Sequence, residues 1–387
     1  MSWLLPPAAC AALCWLSYRR LVQRADVVRR ELLDQSSPAF FASSADKDLP
    51  RGVQLTHIAF MLLPVRAQHF FRDHVHALQA DVVVALMGVL LLGPRLLWAT
   101  LTGAGCTTHS YGDLPEQCLD VFVPRQTTPS SARGAPPRPV LVFVHGGAWG
   151  SGRKLFYRPL CAALATQCDA VVVSVGYRVW SRGSARAHCS MQCDDVRLAT
   201  QWASLNASAL GGDAARIYLC GHSSGAHICA LSALASPIAE SQSRVAGLIA
   251  LAAPMSPPDH FEFERARGVH ELSPMGAACA PLAQSCCVQL AEAHPDRAQR
   301  IPRYLLIHGA ADSVVPCAST LRFAKALCAA RQVGGDHGRL GREDNAGVKT
   351  VIVPAMDHAG PILDFIVGGE SARCASLIRE FLHGMTQ

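Results

Sequence analysis

The 16 cysteines include no C-x-x-C pair and no cysteine/histidine spacing of the kind that holds a metal. That absence excludes zinc-ribbon and thioredoxin-like classes, and no cofactor or metal is expected. The thiols read as buried or neutral free cysteines, many of them beside alanine or in apolar runs, Cys286 and Cys287 included. A disulfide or two is the alternative for a lumenal domain. Charge is also sparse. Asp, Glu, Lys and Arg make up 17% of the chain, and 35 Lys and Arg against 29 Asp and Glu leave a net charge of +6. The basic residues are scattered apart from one dense patch at residues 19–30. That patch follows an apolar segment, so it fits membrane orientation better than nucleic acid, and no nucleic-acid partner is expected. No internal repeat is apparent. No basic residue precedes the first apolar stretch, which argues against a cleaved signal peptide. Nor does any uninterrupted apolar run reach the roughly 20 residues that span a bilayer.

Apolar residues are nonetheless half of the 387, enough to bury a sizeable core. They fall into two regimes. Residues 1–105 carry an uncharged, mostly apolar stretch at 3–18, a short one at 57–65, and "VVVALMGVLLLGP" at 82–94. Allowing Arg95 to snorkel, the last of these reaches spanning length when joined to "LLWATLTGAG". This region is expected to anchor the protein to a membrane by one or two transmembrane helices. If both segments span, the basic stretch between them is cytoplasmic and the rest of the chain is lumenal.

From residue 106 onward the pattern alternates. "VLVFVH" at 140–145 and "AVVVSVGY" at 170–177 are continuous β-branched runs, the mark of strands buried on both faces. "CLDVFVP", "RIYLCG", "VAGLIALAAP", "RYLLIHG" and "KTVIVPA" supply further strands, with Ala/Leu-rich helical segments between several of them. "DDVRLATQWASL" at 194–205 predicts a helix with acidic residues in its first turn. The polar stretch 334–347 reads as a surface insertion. Alternating strands and helices imply an α/β fold with a doubly wound, mostly parallel sheet.

"GHSSGAH" at 221–227 fits G-x-S-x-G between a buried strand and a helix. A serine hydroxyl is a poor nucleophile without a base to take its proton. Two later strand ends offer the partners. "LLIHGAADSVVP" places Asp312 after a buried strand, and "VIVPAMDHAGP" places His358 after the next. The order Ser223, Asp312, His358 is that of a strand–turn–helix nucleophile followed by its acid and base. Asp357 is the rival acid, but it adjoins His358 and shares its backbone. "FVHGGAWGSG" at 143–152 is a glycine-rich loop after a central strand. Gly147 and Ala148 are its expected donors to a developing oxyanion, with Ser224 N–H as the third and Gly146 allowing close approach. His145 and Trp149 are expected to brace the loop. His222 and His227 flank the serine and are not expected to move protons.

These motifs resemble the α/β-hydrolase esterases. "SYGDLPEQCLDVFVP" and "PPDHFEFERARGVHELSPM" at 257–275 narrow the resemblance to the plant-type, membrane-bound isoprenylcysteine methylesterases. It covers roughly residues 108–387 and implies an α/β-hydrolase catalytic domain over 106–387. It further implies cleavage of a carboxyl ester through an acyl-enzyme, with a prenylated cysteine methyl ester as substrate, at the membrane of the endoplasmic reticulum or Golgi. The sequence departs from that group in the 334–347 insertion, in Ser224 where alanine is commoner, and in its Ala- and Cys-rich composition. Two other readings stand beside it: a lipid or small-acyl carboxylesterase or arylformamidase on the same fold, and a membrane-anchored scaffold with an inactive site. Residues 255–300, with Phe261 and Phe263, read either as an apolar cap or as an ordinary excursion.

Overall fold

The computed structural model describes residues 103, 105–124, 136–180, 186–235, 245–266, 270, 273–331, 347–367 and 373–384. Apart from Gly103, Gly105 and Gly347, the candidate anchor segments and the 334–347 insertion lie outside them. Among the described residues no helix is long and apolar enough to cross a membrane.

Eight strands form one sheet in the order β1-β2-β4-β3-β5-β6-β7-β8. They are β1 (Thr107–Ser110), β2 (Cys118–Phe122), β3 (Arg138–Val144), β4 (Val171–Val175), β5 (Gly212–His222), β6 (Gly247–Leu251), β7 (Tyr304–Gly309) and β8 (Val348–Val353). β1 and β2 pair antiparallel, as do β2 and β4, and every other neighbouring pair is parallel. The crossover helices are α1 (Arg158–Cys168), α2 (Cys189–Asn206), α3 (Ser224–Leu234) and α8 (Ala318–Arg331), and α9 (Gly360–Val367) follows the last strand. Between β6 and β7 lie the shorter α4 (Pro257–Ala266), α5 (Met275–Ala278), α6 (Cys287–Ala293) and α7 (Pro295–Arg300), and α10 (Arg373–His383) follows α9.

The continuous β-branched runs find their explanation in two cores. Val140, Val142 and Val144 face one core with α2, α3, α6 and α8, while Leu141 and Phe143 face the other with α1, α9 and α10. A strand covered on both sides has no polar face to alternate with. The doubly wound, mostly parallel sheet expected from the sequence is present.

Two details differ from expectation. β1 was not foreseen, because "TTHS" is largely exposed and carries no apolar alternation. Helix α2 begins at Cys189, five residues earlier than expected, so its first turn holds no acidic residue. Asp195 is buried instead, bonded to Gln117 Nε2 at 2.7 Å and to the Arg178 guanidinium. A buried carboxylate needs such partners, and their pairing decides which face of α2 turns inward. Phe263 is buried and stacks on His260, while Phe261 meets His270 edge-on. Phe261 also packs against the core shared by α2, α3 and α6.

Candidate active site

Strand β5 ends at His222 and helix α3 starts at Ser224, so Ser223 alone makes the turn. Its backbone sits at φ 54°, ψ −128°, a region that side chains other than glycine rarely adopt. The strain is held in place from the neighbouring strand, since Ser223 N–H donates to Leu251 O at 2.8 Å. Gly225 is required by close approach: a Cβ there would lie 2.3 Å from the carbonyl oxygens of Val144 and His145.

The structure brings the three separated residues together. His358 Nδ1 donates to Asp312 Oδ2 at 2.7 Å, which leaves Nε2 as an acceptor 3.1 Å from Ser223 Oγ. Asp312 is anchored beyond this bond. Its Oδ1 accepts from the N–H groups of Val314 and Val315, both at 2.9 Å, and its Oδ2 also receives His308 Nε2–H at 3.1 Å. Thr320 hydroxyl donates to His308 Nδ1 at 2.7 Å and fixes that tautomer. Burial disfavours a charge on Asp312, but the bonds from His308 and His358 outweigh it and hold the carboxyl well below its usual range. Asp357 does not join the cluster. Its Oδ1 accepts from Gly360 N at 2.8 Å, at the start of α9.

The glycine-rich loop runs beside the serine. Gly147 has φ 144°, and a Cβ there would meet Ser151 O at 2.3 Å. Ala148 and Trp149 follow with φ of 50° and 60°. Such a run persists only when the surroundings over-determine it. Trp149 is fully packed, its indole N–H donates to His227 Nδ1 at 3.1 Å, and its carbonyl accepts from Trp180 N and from Gln192 Nε2. His145 stacks on Tyr177, whose hydroxyl donates to His145 O at 2.8 Å. Among the described residues the N–H groups of Gly147, Ala148 and Ser224 have no partner. Gly146 is different: its N–H donates to Tyr157 Oη at 3.2 Å, and its Cα faces Ser223, where an added Cβ would sit 3.1 Å from Ser223 Cβ.

His222 has a role that its sequence position did not reveal. Burial and the nearby His358 push it down to about 3, so it is neutral. Its Nε2–H donates to His358 O at 2.9 Å, and its Nδ1 accepts from Tyr157 hydroxyl at 3.2 Å. Burial lifts Tyr157 to about 12, so the phenol keeps the proton it donates. A chain of hydrogen bonds thus links Gly146, Tyr157, His222 and the backbone of His358. Nothing in "RKLFYRP" marks Tyr157, and nothing short of the fold could have found it. His227 is held neutral by burial, down to about 4, and its Nε2–H donates to Ser285 O at 2.7 Å. No group of three or more His, Cys, Asp or Glu side chains suited to a metal occurs among the described residues.

The arrangement has counterparts among known proteins. An esterase of Mycobacterium tuberculosis, LipC, is 28% identical over 288 residues, covering 70% of this chain and 64% of its own length. Two probable isoprenylcysteine alpha-carbonyl methylesterases of Arabidopsis thaliana are 35% identical over 131 residues (34% of this chain, 25% of theirs) and 31% identical over 232 residues (57% and 52%). The chain thus spans between a quarter and under two thirds of the length of these relatives. A propionate-bound esterase from Thermogutta terrifontis superposes with a TM-score of 0.51 at 20% identity, covering 72% of this chain and 94% of that one. Carboxyl esterase 2 of Tuber melanosporum does so with a TM-score of 0.54 at 16% identity, covering 72% and 86%. At such identities these two structures speak to the fold alone. A family described as alpha/beta hydrolase fold matches residues 141–358, more than half of the chain. The chain belongs to that alpha/beta hydrolase family.

Proposed function

We propose that this protein is a serine esterase that cleaves a carboxyl ester through an acyl-enzyme on Ser223. The observation that carries the reading is the hydrogen-bonded sequence Ser223 Oγ, His358 Nε2, His358 Nδ1, Asp312 Oδ2, with distances of 3.1 and 2.7 Å. Ser223 Oγ attacks the ester carbonyl while His358 Nε2 takes its proton, and Asp312 stabilises the imidazolium that forms. The carbonyl oxygen becomes an oxyanion facing the free N–H groups of Gly147, Ala148 and Ser224. Each such donor is worth about 3 kcal/mol in related sites. His358 returns the proton to the departing alcohol. Water then attacks the acyl-serine with His358 as base, releasing the acid and restoring Ser223.

The substrate we favour is a prenylated cysteine methyl ester. The support is the resemblance over residues 257–275 and the two plant relatives named for that activity. Residues 1–105 would hold the enzyme at an internal membrane, where such a lipidated substrate partitions. A second reading, a carboxylesterase of lipid or small acyl esters, draws on the mycobacterial esterase match across 70% of the chain.

Three measurements test this. A fluorophosphonate should label the folded protein on Ser223, mapped by mass spectrometry; an adduct on Ser224, or none, refutes the nucleophile. Turnover is then compared on a farnesylcysteine methyl ester, short acyl esters and formylkynurenine. Preference for a short acyl ester overturns the prenylcysteine assignment and leaves the esterase. Full-length protein should resist carbonate extraction from membranes, and free solubility would remove the anchoring role of residues 1–105.

A further inference from the structure

Cys189 opens α2 and Cys279 directly follows α5, and these distant parts of the sequence meet through their sulfurs. The two Sγ atoms lie 2.8 Å apart, and both side chains are buried. The bonded sulfurs of the neighbouring thiols point elsewhere: Cys193 to Ile228 O, Cys229 to Cys220 O, Cys286 to Ser256 Oγ and Cys287 to His227 O. A disulfide bond is about 2.05 Å long, so closing this pair needs a movement of under about 1 Å. The pair is nearly closed off from solvent, Cys189 being 2% exposed and Cys279 0%, but a groove leads to its edge. Cys189 lines a groove of about 270 Å³ together with His188, Arg197, Ala280 and Ser285. Cys279 does not line it, so a thiol reagent entering from solvent meets Cys189 first.

We propose that Cys189 and Cys279 are a dithiol–disulfide pair, oxidised by a small disulfide of the glutathione type. Cys189 Sγ, having given up its proton, attacks one sulfur of the oxidant and releases the other as a thiol. Cys279 Sγ then attacks Cys189 Sγ in that mixed disulfide and releases the second thiol. Two S–H bonds are lost, one S–S bond forms, and the oxidant leaves as two thiols. The cross-link ties the β6–β7 excursion to α2. It also reaches the reaction-site loop by hydrogen bonds: Ser285 Oγ donates to Cys279 O, His227 Nε2–H donates to Ser285 O, and Trp149 donates to His227. Gln192, three residues after Cys189 on the same helix, holds Trp149 O from the other side. Oxidation therefore fastens together the two elements between which Trp149 is held.

The test uses purified full-length protein in detergent, treated with oxidised glutathione, quenched with N-ethylmaleimide and digested without reduction. The expected product is a peptide pair joined through Cys189 and Cys279, two hydrogens lighter than the sum of its parts. Fragmentation must place the bond, because Cys193, Cys286 and Cys287 fall on the same tryptic peptides. The melting temperature should rise by at least about 5 °C on oxidation, as for a long loop closed without distortion. Cys189→Ser should lose both effects and Cys193→Ser should keep them. A bond placed on Cys193, Cys286 or Cys287, or recovery of Cys189 and Cys279 as separate maleimide adducts after excess oxidant and denaturation, overturns the proposal. The mapping of the unmutated protein decides the matter even if Cys189→Ser does not fold, and it is independent of any esterase activity.

Discussion

Replacing Asp312 by asparagine separates the role of its charge from that of its position. The side chain keeps its shape, and two of its four hydrogen bonds fix which way the new amide turns. Oδ1 accepts from Val314 N and Val315 N, so the amide oxygen must stay there. The amide nitrogen then takes the place of Oδ2, facing His358 Nδ1 and His308 Nε2. Against His358 it can only donate. His358 must accept at Nδ1 and carry its proton on Nε2, where it can no longer receive one from Ser223. The same exchange of acid for amide in a serine protease lowers turnover about ten-thousandfold. That corresponds to about 5 kcal/mol of transition-state stabilisation. The structural cost is smaller. His308 Nε2–H loses one acceptor but keeps Val315 O at 2.9 Å, so about 1 kcal/mol and a melting shift of a few degrees are expected. The assay is kcat on p-nitrophenyl acetate with the melting temperature recorded for Asp312→Asn and Asp357→Asn. Asp357 Oδ1 accepts from Gly360 N at the start of α9, and its amide variant should stay within about tenfold of wild type. Near-normal turnover by Asp312→Asn, or a larger loss for Asp357→Asn at equal folding, would refute the reasoning.

Tyr157→Phe removes both the acceptor for Gly146 N–H and the donor to His222. Turnover should fall about tenfold with KM little changed, and unaltered kcat would show that the link does not steady the site. Gly225→Ala forces a methyl group against the carbonyls of Val144 and His145, so the urea midpoint should fall by an amount worth more than about 2 kcal/mol; a wild-type midpoint would contradict that contact. His222 and His227 are neutral in the folded protein, at about 3 and about 4, but titrate near 6.5 when unfolded. The unfolded chain therefore binds more protons as pH falls below about 6.5, and stability present at neutral pH is lost between there and about pH 3. Each of these histidines contributes about 1.4 kcal/mol per pH unit, His222 down to about pH 3 and His227 down to about pH 4. His227→Gln should flatten the acid limb in urea melts, and an unchanged slope would count against its neutral burial.

What could be read from the sequence was what depends on neighbours along the chain. The buried strands around Val142 and Val173 show as unbroken β-branched runs because both faces are covered. Ser223, Asp312 and His358 each sit where a strand ends, and that local pattern is visible without knowing the fold. The bracing of the site was not legible. Tyr157 and His222 are 65 residues apart and meet only because α1 and β5 flank the same loop. His308 could have been suspected from its place four residues before Asp312, near the end of β7. The edge strand β1 escaped notice because an exposed "TTHS" needs no apolar face, and the early start of α2 because its first turn is packed rather than acid-capped.

The turn at Ser223 is held by the sheet and not by the residues that would use it. Its N–H is bonded to Leu251 O and its φ of 54° is imposed by β5 and α3, so removing the hydroxyl leaves the frame untouched. An alanine at this position would keep the same Cβ direction, the same free N–H groups at Gly147, Ala148 and Ser224, and His358 in place. Such a protein is a ready-made bait. It would hold a cleavable ester without consuming it, so that the natural ligand could be fished from a membrane extract and identified by its mass. A glycine there would relax the turn and spoil the bait, which sets the choice of residue for the experiment.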